Sequence, residues 1–184
     1  MIVERMPVGV VVERQPGVTK WQEHVWRAVA VLPGSPMVAP WTELGREQGP
    51  RGEIVRYYAG TAELVAYSGG DTRTYKHNVE APEPSVYVVL RRADTLSGWT
   101  LYLATIDPAE AHSHADTGDD LVERLPMPPL VFDWLSAFVA QHHVERMEWK
   151  RKRDRADPDA LGVRGLAAEE QRGRRQAGWE DEDE

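Results

Sequence analysis

Asp107, Glu110, His112, His114 and Asp116 crowd five metal-capable side chains into one short stretch. On a strand, His112 and His114 would face the same side and could ligate one ion; on a helix they would sit about 200° apart and could not. Asp107-Pro108 has the form of a helix start, with Asp107 as cap and Pro108 at the first helical position. The helical reading makes this a solvated polar segment, and the His112/His114 pair is a metal site only if the segment is extended. His142-His143 shares the weakness, because adjacent residues on a helix diverge and such histidines complement a helix C-terminus.

A second constellation is Trp26, Arg27 and Trp41. Arg27 lies on an otherwise apolar stretch and needs an anionic partner, either an internal Asp or Glu or a ligand. A pocket lined by these three residues would bind a small molecule or cofactor. Trp41 alone reads as a plug over a sheet or as a partner-facing aromatic. A third group lies near the C-terminal end. Trp149 and the basic run Lys150, Arg151, Lys152 and Arg153, together with Trp179 before Glu180–Glu184, have the composition of a docking segment for a protein partner.

Nucleophile and metalloprotease motifs are missing: the sequence holds no G-x-S-x-G, no Ser-x-x-Lys and no H-E-x-x-H. Gly69-Gly70 is a turn rather than a phosphate cradle, and no spacing pairs two carboxylates for acid–base work. With no cysteine, disulfides, thiolate zinc sites, Fe–S ligation and cysteine nucleophiles are excluded. The balance leans away from an enzyme and names no cofactor. A net charge of −8 argues against nucleic acid as a partner. No apolar run has the roughly 20 residues of a membrane span, and Met1–Arg5 lacks the order of a signal peptide, so a cytoplasmic protein is expected.

The elements that must position these residues read as mainly β. Strands are expected over Val8–Arg14, Trp21–Leu32, Glu53–Ala59, Ala62–Tyr67, Ser85–Arg91 and Trp99–Ala104, with a short one at Leu121–Leu125. The second half of Trp21–Leu32 is apolar on both faces, which suggests a central strand. Residues 33–52 read as a long connection, with Trp41–Leu44 starting a short helical turn, and Thr72–Val79 as a polar edge strand. A brief helix follows Asp107. The clearest helix runs from Pro129 to Val144: Leu130, Val131, Trp134, Leu135, Phe138 and Val139 form one apolar stripe, opposite Asp133, Ser136 and Gln141. The expected fold is α+β, mainly β, a small antiparallel barrel or sandwich closed by this amphipathic helix. Residues 1–145 would form the globular domain. Residues 146–184, charged and poor in large apolar groups, would form a disordered tail.

Four stretches carry a resemblance: Met6–Arg14, Lys20–Gly34, Pro84–Arg91 and Phe138–Val144. Together they resemble an uncharacterised proteobacterial family classed as a domain of unknown function, over roughly residues 6–155. The resemblance implies a setting near genes of molybdenum-dependent formate dehydrogenases and their accessory factors. It therefore implies an accessory role in assembly, maturation or regulation, with a formate dehydrogenase subunit or accessory protein as partner. It carries over no catalytic residue.

Overall fold

In the computed structural model, residues 1–19, 21–69, 72–95, 97–116 and 118–144 are described. Strands β1 (Val3–Pro16), β2 (His24–Pro33), β3 (Thr42–Gly49) and β4 (Gly52–Tyr67) form one antiparallel sheet in the order β2-β1-β4-β3. Helix α1 (Thr72–Val79) leads to β5 (Ser85–Arg92) and β6 (Trp99–Thr105). Helix α2 (Pro108–Ala115), β7 (Asp120–Pro126) and α3 (Pro129–His142) complete the domain. The second sheet, also antiparallel, has the order β6-β5-β7. The mainly β, α+β architecture is the one expected; helix α1 is not.

The barrel is not closed. β4 lies against β6 and β2 against β7, but no hydrogen-bonded ladder joins the two sheets among the described residues. They bury one common core instead. Val8, Val10 and Val12 of β1 alternate onto it and are solvent-free, as are Val86, Val88 and Leu90 of β5. From α3 come Val131, Leu135 and Phe138, and Phe138 meets Tyr75 of α1 edge-on at 6.4 Å. Trp134 and Val139 of the stripe are half-buried, and Leu130 is exposed. Ser136, expected on the solvent side, has its hydroxyl oxygen buried beside α1 with no hydrogen-bond partner.

Several expectations are corrected. The interior strands of the first sheet are β1 and β4, not β2. β2 sits at the sheet edge, with β7 of the other sheet alongside it. On β1 the far face is covered too, since a Cβ added at Gly9 would come within 2.9 Å of the Tyr58 ring and 3.1 Å of Pro36. The connection 33–52 holds strand β3 rather than a helical turn. β3 is exposed almost throughout and buries no apolar face. Its register on β4 comes with charged side-chain bonds, Arg46 donating to Glu43 and Glu53, and Arg56 to Glu47. Thr72–Val79 is a helix, not an edge strand. It is anchored by polar burial: the Asn78 amide donates to the Ser85 and Ile106 carbonyls, both at 2.8 Å, and accepts from the Ser85 N–H. The two strands expected over residues 53–67 are one, β4, which carries Gly60 at φ 137° beside a register shift.

Candidate functional site

One polar cluster joins β5, β6, β7 and α2. Arg91 and Asp120 stand opposite each other in the β5–β7 register. The guanidinium donates twice to the carboxylate, at 2.9 and 2.8 Å, in the bidentate geometry that strengthens such pairs. The same guanidinium lies 3.4 Å over the Tyr102 ring. His114 meets Tyr102 edge-on at 5.4 Å and places Nδ1 3.1 Å from Asp120.

The Arg91 hydrogen bonds hold the Asp120 carboxyl below the usual aspartate range; the His114 bond adds to this, and desolvation opposes it. The same pairing raises Arg91. A carboxylate held ionised with both oxygens engaged is a poor proton donor or acceptor near neutral pH. This arrangement works as a strut that ties α2 to the strands of the second sheet. Sequence reading missed Arg91, Tyr102 and Asp120 altogether. The only available signal was cross-strand opposition of Arg91 and Asp120, which needs the register.

The cluster of residues 107–116 takes the helical form. Asp107 accepts from the Ala109 N–H at 2.8 Å and Pro108 opens the helix. His112 faces Asp116, 3.8 Å away, whereas His114 turns to Asp120. The two imidazoles therefore do not converge. Among the described residues no group of three His, Asp or Glu side chains is placed to hold a metal.

Trp26 and Trp41 are brought together and Arg27 is turned elsewhere. Their rings meet edge-on at 5.7 Å, with Tyr57 5.6 Å from Trp26, and both tryptophans pack half-buried against the core. Trp41 is a plug held in the left-handed region at φ 65°, its N–H bonded to the Tyr58 carbonyl. Arg27 reaches across to Glu123 of β7 at 3.5 Å, so its anionic partner is internal. Trp149, Lys150, Arg151, Lys152, Arg153 and Trp179 lie outside the described residues.

Among the described residues the most exposed aromatic, Trp21, stands where the sequence predicts the start of a strand. Trp21 sits in the turn between β1 and β2 with 97% of its surface in solvent, and Val18 in the same turn is 72% exposed. The turn is fixed from within. Gly17 N–H donates to the Glu23 carbonyl at 3.0 Å, and Gln22 N–H to the Thr19 carbonyl at 3.2 Å. The chain passes so close at Gly17 that an added Cβ would lie 1.5 Å from the Gln22 carbonyl oxygen, so only glycine fits. The turn thus presents a large aromatic that packs on nothing among the described residues.

The chain belongs to the family described as Protein of unknown function (DUF3305), whose model matches residues 7–153. No curated protein and no solved structure matches it. The family description states no activity and points neither to a proteobacterial source nor to formate dehydrogenase. None of the helices in the described residues is long and apolar enough to cross a membrane.

Proposed function

We propose that this member of the DUF3305 family is a cytoplasmic, non-catalytic protein-binding module that serves a partner in assembly or regulation. The observation that carries the reading is Trp21. Full exposure of a tryptophan costs favourable burial, and aromatic anchors of this kind dominate the energetics of protein interfaces. The internal bonds of the turn hold Trp21 in place before binding, which lowers the ordering cost of docking. The polar cluster around Asp120 adds no competing catalytic reading, because its groups are engaged with one another.

The partner to test first is a molybdenum-dependent formate dehydrogenase subunit or accessory factor, the setting that the sequence resemblance implies. In sequence, the basic run Lys150–Arg153 with Trp149 and Trp179 offers a second, charge-steered contact. The full chain used as bait in its native host is expected to recover formate dehydrogenase subunits or their accessory proteins. Recovery of unrelated proteins only discards that partner. Trp21→Ser should abolish capture while the domain stays folded, and equal capture by this variant removes the turn from the interface. Deletion after Arg155 should weaken capture in parallel with rising salt.

A further inference from the structure

We infer that the seam between β4 and β6 is a groove for an extended, cationic segment of a partner protein, which adds there as a strand. The inference rests on reading the chain as a protein-binding module, but it uses a surface separate from the Trp21 turn.

Two open edges meet at this seam. β4 pairs with β3 only as far as Tyr58, yet with β1 all the way to Tyr67. From Ala59 to Tyr67 its second edge therefore has no hydrogen-bonded partner strand among the described residues, although β6 runs alongside part of it. β6 pairs with β5 alone, which leaves its other edge open. The seam is closed at one end, where a Cβ added at Gly60 would lie 3.7 Å from Leu101. Toward Tyr67 and Thr105 the strands flank a cavity of about 390 Å³. Open edges present N–H and C=O groups in rows, and an extended peptide satisfies them. The volume suits the side chains of a few strand residues and is too small for a docked helix.

The lining selects the occupant. Val65 and Leu103 give apolar walls. Glu63, Asp107 and Glu110 contribute carboxylates, and among the described residues no cation lines the cavity. Arg5 answers Glu63 at 2.9 Å, and Asp107 is partly engaged in capping α2, while Glu110 is exposed in the first turn of that helix. An acidic or wholly apolar segment would cover these carboxylates without supplying counter-charge. A strand that alternates apolar and basic residues puts one set on the walls and the other on the carboxylates.

The test uses the isotope-labelled full chain and short synthetic peptides. An alternating Val/Lys peptide should shift the amide signals of Glu63–Tyr67 and Leu103–Thr105, and its binding should weaken as salt rises. The matching Val/Glu peptide should not bind. Glu110→Lys, at an exposed helix position, should bind the Val/Lys peptide about tenfold more weakly with the rest of its spectrum unchanged. Trp21→Ser should bind it as the parent does. Equal binding of both peptides, or shifts confined to other residues, overturns the inference. So does a Val/Lys peptide with N-methylated backbone that binds as well as its parent, because no strand would then have been added. Spermine producing the same shifts at the same affinity overturns it as well, in favour of a small-amine cavity. Loss of peptide binding in Glu110→Lys with native partner capture intact overturns the assignment of the groove to a partner segment and leaves the Trp21 reading standing; failure of the full chain to capture any protein removes the reading on which both depend.

Discussion

Phe138 and Trp21 are both aromatic, and the fold treats them oppositely. The α1–α3 layer closes around Phe138 until 1% of it is exposed, with Tyr75 edge-on to it and the valines of both sheets in the same core. The β1–β2 turn spends its backbone bonds on its own shape and leaves Trp21 at 97%. In the first region side chains specify the structure and the backbone follows the 3.6-residue period. In the second the backbone specifies the structure, through Gly17, and the side chains are free for another molecule. The first should therefore carry stability and the second recognition.

The largest effect should come from Phe138→Ala, which removes a fully buried ring and should cost about 3–5 kcal/mol in denaturant unfolding. A cost under about 1 kcal/mol would mean that the helix layer is not part of the core and would collapse the contrast. Asp120→Asn should cost less, about 2 kcal/mol at neutral pH, since the Arg91 and His114 bonds lose a charged acceptor while Arg91 keeps partial access to water. Its pH profile sharpens the assignment. Asp120 has a lowered folded pKa, so its contribution is present above the ordinary value of 3.8 and is lost as pH falls through the lower folded value. The gap between parent and variant should close on acidification, and a gap independent of pH would show that the carboxylate charge is not what matters.

Trp134→Phe comes next. It keeps the half-buried ring and deletes the N–H that donates to Glu4 at 3.0 Å, and should cost about 1 kcal/mol or less. Trp21→Ser should be the smallest, within about 0.5 kcal/mol of the parent in stability, yet with partner capture lost. A large destabilisation by Trp21→Ser would reverse the comparison, because the turn would then be a structural element.

Where apolar periodicity controls the fold, the sequence was readable. The stripe from Val131 to Val139 located α3, alternation in Val86–Leu90 and Trp99–Leu103 located β5 and β6, and Asp107-Pro108 marked the start of α2. Where polar groups do the work, it was not. α1 buries Thr72, Tyr75 and Asn78, and the bonds of Asn78 to residues 85 and 106 exist only once β5 and β6 are in place. β3 has no buried apolar face for a period to reveal. The site residues divide the same way. Divergence of His112 and His114 followed from helix geometry alone. Pairing of Arg27 with Glu123 and of Arg91 with Asp120 depends on which strands become neighbours, which no local pattern encodes.

The bond from Trp134 to Glu4 joins residues 130 positions apart in the chain. β1 likewise pairs with β2 across a short turn but with β4 over a long one, from Val3 to Tyr67. Contacts of such sequence separation form slowly, because the intervening loop must close before they are rewarded. During synthesis the β1–β2 hairpin can form early, but the first strand obtains its last partner only after α3 has left the ribosome. Until then the core shared by the two sheets lacks Val131, Leu135 and Phe138. A nascent chain stalled before residue 129 should therefore be bound by chaperones and open to protease, whereas one stalled well past His142 should resist both.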